Sequence, residues 1–449
     1  MDKKNFSTDF TEGNIPRQLI IFAVPLYLSN FLQIVYNMVD MIIVGQVMGK
    51  VGLSAVAVGG DVSNFLNFVA MGFSGAGQVI IAQLLGGKKF EELGRFIGNM
   101  MSFLFCCGIF LSAIFLFFLE PILKIMNTPP ESFSEAFAYA TVTIGGMVFI
   151  YGYNAISSIM RGLGDSKHPF IFIGIAAALN IFLDIIFVIF LELGAKGAAL
   201  ATVVSQGASF LLCVIFLYWR REELDFKIST TDFFMPNKKL LSKLLKLGLP
   251  MAIRSASIST SKLFVNSWIN SYGVVVSAFA GVANKINSVS ILMSNALTMA
   301  GSSMIGQNIG ARKFERVTEI LKFMFKISLS IAVILSAAIY IFPEEIYSVF
   351  TDDEKVLQVG MEFLPIAVML FFGSACRCPM TALINGSGNY LANFLTALFD
   401  GIILRIGLAL LFGLTFEMKY FGFWLGDGFA GFTPLVIGTI LYFSGKWKK

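Results

Sequence analysis

Residues 103–119 read FLFCCGIFLSAIFLFFL, a run without one charged side chain. Coiled as a helix at about 1.5 Å per residue, it reaches roughly 26 Å, close to the apolar thickness of a bilayer. Backbone groups inside lipid must find partners within their own segment, which leaves a helix or a closed barrel. A barrel strand would alternate in short stretches, and this run does not. The rest of the chain has the same character. Its 449 residues are 56% hydrophobic and 14% charged, with a mean hydropathy of +0.78. Soluble domains carry about 25% charged residues, so an ordinary soluble enzyme is excluded. With 47 Phe and 5 Cys, so are a disordered chain, a collagen and a disulfide scaffold. The fold class that remains is an all-α polytopic membrane protein.

Counting apolar stretches between polar breaks predicts twelve transmembrane helices: 17–44, 53–84, 94–119, 135–159, 169–191, 196–219, 243–271, 275–308, 319–342, 357–384, 391–413 and 420–443. The first 16 residues are polar, and we expect no cleavable leader before the first span. Of the 33 Lys and Arg, 23 fall on one side of this plan, 5 on the other and 5 within spans. That bias predicts both termini in the cytoplasm of a cell-membrane protein. The net charge of +5 then reflects contact with anionic lipid rather than with nucleic acid. Cys106, Cys107, Cys213, Cys376 and Cys378 lie in apolar segments without metal-ligand spacing and read as small apolar fillers.

The chain repeats itself at an offset of 224: AQLLGGKKFE (82–91) matches GQNIGARKFE (306–315), and RGLG (161–164) matches NGSG (385–388). Pro25 and Pro250 correspond within one residue. Six helices per half is an even number, so both halves enter from one side as parallel repeats related by a pseudo-twofold axis. We therefore expect an N-lobe at 1–219, a cytoplasmic linker at 220–242 and a C-lobe at 243–449. Two similar bundles rocking about a midline site are sufficient for alternating access, which favours a transporter over a channel or scaffold. No H-E-x-x-H, G-x-S-x-G or P-loop pattern suggests an enzyme.

Ionisable groups within spans are costly and mark function. Asn30, Gln33, Asn37 and Asp40 share one face of the first helix at spacings of three and four. Asn180 and Asp184 lie one turn apart in the fifth, and Thr202, Ser205 and Ser209 form a stripe in the sixth. Asp40, Asp184 and Thr202 all fall within roughly 6–11 Å of the outer helix ends. Asn, Ser and Thr there also suit plain helix-packing hydrogen bonds. Two carboxylates at one level are different: such a pair could share one proton or bind Na⁺ through carboxylate and amide oxygens. Pro25 would let the first helix bend.

VDMIIVGQVMGKVGLSAVAV (39–58), RGLGDSKHPF before NIFLDIIF (180–187), LGAKGAALATVVSQ (193–206) and QNIGARKFE together resemble the multidrug and toxic compound extrusion (MATE) family, most closely its DNA-damage-inducible F-like branch. The resemblance spans the whole chain. It implies two six-helix bundles around a cleft and efflux of small organic cations driven by entry of H⁺ or Na⁺, with no other cofactor. It also implies that Asp40, Asn180, Asp184 and Thr202 form the N-lobe coupling site. Relatives of the Na⁺-driven branch carry C-lobe carboxylates where this chain has Ile258 and Ser374, which favours H⁺. A lipid-linked or peptide-like flippase of the same superfamily is the alternative. The working unit is expected to be a monomer.

Asp61 and Lys285 differ by 224 positions, and we expect opposite charges there to serve an outer gate, with Gln33 and Asn37 lining the cargo cleft. The alternative is that Asp61 bonds Ser63 or Asn64 while Lys285 snorkels. The C-lobe also carries Lys262 and Arg405 within its spans. Unless Asp400 neutralises them, they point to a cargo with an anionic or zwitterionic part.

Overall fold

The computed structural model describes residues 7–224, 226–227 and 230–448. Lys3, Lys4 and Lys449 of the charge count, and Asp225, Ile228 and Ser229 of the linker, lie outside the described residues. Among the described residues, nine helices are long and apolar enough to cross a membrane. Ile15–Gly86 alone holds 72 residues, about 108 Å of helix. A break at Gly49, with φ 60°, divides it into two spans. Pro130–Gly145 and Met147–Gly162 form one further span bent by 44°. Lys238–Asn270 has the length of a span but not the apolarity, because Arg254 and Lys262 lie inside it. These elements make twelve spans.

In chain order, the first two spans share Ile15–Gly86, the third is Phe90–Phe117, and the fourth is the bent pair. The fifth is Lys167–Phe190 and the sixth Gly194–Trp219. The seventh to ninth are Lys238–Asn270, Val274–Gly310 and Phe314–Ile341. The tenth to twelfth are Glu354–Gly386, Tyr390–Thr415 and Lys419–Ser444.

The chain forms two compact units. One comprises Met1–Asp9 and Val24–Ala252, the other Phe10–Ala23 and Ile253–Lys449. In the first, Leu66, Phe96, Met100, Tyr151 and Ile159 belong to a buried apolar core. In the second, Phe279, Phe363, Phe423 and Trp424 do the same. Phe279, Phe363 and Trp424 meet edge to face.

Backbone irregularities repeat between the units. Positive φ occurs at Gly49 and Gly273, at Lys88 and Arg312, and at Gly164 and Gly388, each pair 224 apart. Later, Glu192 and Glu417, then Gly194 and Lys419, pair at an offset of 225. The extra residue falls in the eleventh span, where a π-helical turn at Phe399–Ile403 interrupts the α-helix before Leu404–Leu410. A π turn carries more residues than an α turn, so it absorbs a one-residue insertion without unwinding the span.

The repeated AQLLGGKKFE and GQNIGARKFE motifs stand beside docking points for polar segments. In the second unit, Gln307 Oε1 accepts the Phe10 amide at 2.8 Å, and Asn308 Nδ2 donates to the Phe10 carbonyl at 3.0 Å. Arg316 adds bonds to the carbonyls of Phe10, Glu12 and Gly13. In the first unit, Asn99 Nδ2 and Ser102 Oγ donate to the carbonyls of Asp232 and Phe233. Gly94 admits the Lys227 carbonyl, which a Cβ there would meet at 2.2 Å.

The eleventh and twelfth spans meet at bare backbone. A Cβ on Gly422 would lie 2.4 Å from the Gly413 nitrogen, and one on Gly426 2.3 Å from that of Ala409. This Gly-x-x-x-Gly face substitutes close van der Waals contact for a hydrophobic drive that lipid does not provide. Gly422→Val is expected to lower stability by about 1–3 kcal/mol, the usual cost of overpacking. Thermal unfolding in detergent measures it, and an unchanged midpoint would contradict the close approach.

Candidate functional site

The first unit concentrates polar groups at one place. Asp40 comes from the first span, Asn180 and Asp184 from the fifth and Thr202 from the sixth. Asp40 is 6% exposed, Asn180 1% and Asp184 0%. The Asp40 carboxyl lies within interaction range of the Asp184 carboxyl and the Thr202 hydroxyl. Local backbone explains the register. Asp184 is the last residue of the α-helix Lys167–Asp184, immediately before a π-helical turn at Ile185–Phe190. That turn ends with the Leu193 amide bonded to the Phe187 carbonyl at 2.9 Å, and the chain reverses into the sixth span at Gly194 with φ 60°. Glu135 Oε2 holds the start of the sixth span by accepting the Ala195 amide at 3.2 Å.

Hydrogen bonding sets these four residues apart from their neighbours. Among the described residues, Asp40 Oδ1, both Asn180 side-chain atoms, both Asp184 oxygens and Thr202 Oγ1 are buried without a hydrogen-bond partner. Each unmade bond of this kind costs about 1–3 kcal/mol, so a concentration of them is not a packing device. Two carboxyls in contact are also unfavourable as two free anions, so the pair holds a proton or a cation. The donor set is entirely oxygen and amide, which suits a proton or a hard monovalent cation. The sixth-span serines behave differently. Ser205 Oγ donates to the Thr202 carbonyl at 2.9 Å and Ser209 Oγ to the Phe172 carbonyl at 3.2 Å. They are packing bonds.

Sequence reading missed three members of this neighbourhood. Tyr36 is buried one turn before Asp40, and its hydroxyl accepts from Gln206 Nε2 at 3.4 Å. Tyr139 of the fourth span lies within electrostatic reach of Asp40, Asp184 and Tyr36. The spacings Tyr36–Asp40 and Thr202–Gln206 carried the signal for two of them. Tyr139 had none, since no polar residue of its helix face was singled out in the sequence.

The other expected positions are distributed differently. Gln33 is half-buried and Asn37 exposed. Asp61 is exposed on the second span; the neighbouring Ser63 hydroxyl is bonded to the Gly59 carbonyl and to Thr143 Oγ1. Lys285 is exposed on the eighth span, and its carbonyl accepts from Ser288. Pro25 lies within continuous helix, where Ser29 Oγ donates to its carbonyl at 2.8 Å.

A family model described as MatE matches residues 25–186 and again 250–411. The chain is 30% identical over 447 residues to "Probable multidrug resistance protein YoeA" of Bacillus subtilis, covering 98% of this chain and 96% of that protein. It is 28% identical to "Probable multidrug resistance protein YpnP" of the same organism, covering 98% and 97%. A solved structure described as the outward-facing conformation of a multidrug resistance MATE family transporter of the MOP superfamily superposes with a TM-score of 0.89. It is 22% identical and covers 99% of this chain and 98% of that one, a likeness of fold.

Proposed function

Because the chain belongs to the MatE family of multi-pass membrane transporters, we propose that it is an antiporter exporting amphipathic, mainly cationic drugs in exchange for H⁺. Relatives carrying the description of multidrug resistance proteins support the cargo class. The observation that carries the coupling is the buried Asp40–Asp184 pair with its unpartnered oxygens, beside Asn180 and Thr202. A proton arriving from outside neutralises the pair. The loss of charge weakens attraction for a cationic cargo and favours its release outward. Departure of that proton to the cytoplasm restores the charge and the affinity. Tyr36 and Tyr139 hold the two acids in register, Gln33 and Asn37 contact cargo, and Pro25 supplies the bend in the first span.

The second unit supports H⁺ over Na⁺. Its acids Asp400 and Asp427 are engaged by arginines and form no free carboxylate pair among the described residues. In this reading the protein acts in the cell membrane with both termini in the cytoplasm, as a monomer among membrane lipids, on small-molecule substrates and without a cofactor.

Efflux of a cationic dye from proteoliposomes under an imposed pH gradient, compared with an imposed Na⁺ gradient, tests this reading. The pH gradient is expected to drive efflux and the Na⁺ gradient to leave it at the leak rate. Efflux under Na⁺ alone would transfer the same site to Na⁺, and no gradient-driven efflux would reject the antiporter.

A further inference from the structure

The two units carry one helix plan with opposite charge at corresponding positions. Asp40 and Val265 each lie fifteen residues after the helix prolines Pro25 and Pro250, and Asn37 and Lys262 each lie twelve after them. Beyond the π-turn insertion the offset is 225, which sets Arg405 against Asn180, Ala409 against Asp184 and Asp427 against Thr202. The second unit therefore replaces both acids of the first with apolar side chains. In place of two neutral amides it has cations.

Those cations outnumber their partners. Asp400 is 0% exposed and accepts from Arg405 Nη2 at 2.7 Å and Arg377 Nη2 at 3.0 Å. Arg405, 1% exposed, also pairs with Asp427. Both acids are thus engaged. Arg254 lies in electrostatic reach of Arg377 and Asp400, yet its Nη1 is buried without a hydrogen-bond partner among the described residues. Lys262 senses Asp427, Arg405, Arg377 and Asp400, but makes no ion pair within 4.0 Å among the described residues. Four cations therefore face two acids, all within the same membrane-embedded unit. An excess of positive charge within membrane spans favours a counter-charge from outside the chain.

Space for one is present. A small recess, partly open, is lined by Lys262, Val265, Asn266, Asn287, Trp424 and Asp427 among others. Lys262, Val265 and Asp427 of its wall are the counterparts of Asn37, Asp40 and Thr202, so the cavity lies where the first unit keeps its acid pair. The Asn266 and Asn287 amides can donate to an anion, and the Trp424 ring gives an apolar wall.

We propose that this pocket binds a monovalent anion, with the Lys262 ammonium as its principal contact. The shared chemistry is that of a carboxylate on an amphipathic cargo or of a free halide. A carboxylate would place its apolar body along Val265 and Trp424. The carrier would then accept compounds that carry a carboxylate, zwitterions among them.

The test uses the full-length purified protein at constant ionic strength in gluconate. Chloride alone and benzoate alone are titrated while Trp424 emission is followed, with Trp424→Phe identifying its share of the signal. A saturable response is expected. Lys262→Gln should weaken it by about tenfold or more, and Lys262→Arg should retain it within about threefold. Val265→Asp, which installs the carboxylate of the other unit, should abolish it and decides the matter if Lys262→Gln does not fold. Benzoate competing with chloride and binding more tightly identifies the cargo carboxylate as the source; chloride binding unaffected by benzoate identifies the halide. No saturable response in the unmodified protein, or unaltered binding in both Lys262→Gln and Val265→Asp, overturns the proposal.

Discussion

Cells that depend on this carrier and make the Asp184→Asn form are expected to be as drug-sensitive as cells without it. Efflux under a pH gradient should fall about 10- to 100-fold, the span of typical coupling energies. A group that no longer changes charge binds nothing differently in the two states and so cannot drive the exchange. Stability should move the other way. Asp184 is 0% exposed, and neither carboxyl oxygen has a partner among the described residues. An amide of nearly the same shape removes a buried ionisable group without opening a cavity, so the thermal midpoint should hold or rise. Retained gradient-driven efflux would sink the assignment. A collapsed midpoint would show that the acid serves the fold instead.

The second large effect belongs to Arg405. Replacing it with Met keeps most of the volume but removes the 2.7 Å pair to Asp400, the bond from Nε to the Asp400 carbonyl at 3.1 Å, and the partner of Asp427. Asp400 would be left fully buried with Arg377 alone. Breaking one side of a buried pair costs about 3–5 kcal/mol, whereas replacing every member at once can be nearly neutral. Arg405→Met should therefore unfold at a much lower temperature. Adding Asp400→Asn should recover a large part of the loss. Equal midpoints for the unmodified and Arg405→Met proteins would mean that the network does not hold the tenth, eleventh and twelfth spans together.

Much of the architecture was legible in the sequence. The twelve apolar stretches and the repeated GGKKFE and GARKFE exits are local patterns, and local patterns survive without tertiary context. The seventh span was legible as a stretch between polar breaks, although Arg254 and Lys262 lower its apolarity. Asp40, Asn180, Asp184 and Thr202 stood out because buried polar groups are rare in spans and helical spacing places them on common faces. Asn37 belongs to the same periodicity as Asp40 but is exposed, since periodicity gives a face and not the limits of what packs against it. Ser205 and Ser209 matched the stripe and proved to be packing bonds.

By itself the sequence determined a helical, twice-repeated membrane protein and the acids of its first half, for these follow from transfer energies and periodicities confined to one helix at a time. Only the tertiary structure decided that Tyr139 joins Asp40 and Asp184, that Asp400 is shared by Arg377 and Arg405, and that Lys262 makes no ion pair among the described residues and faces a pocket. Each of those facts depends on which faces of separate helices meet. A π-helical turn of five residues shifted the register of the eleventh span relative to its repeat, and no single-helix pattern records that shift.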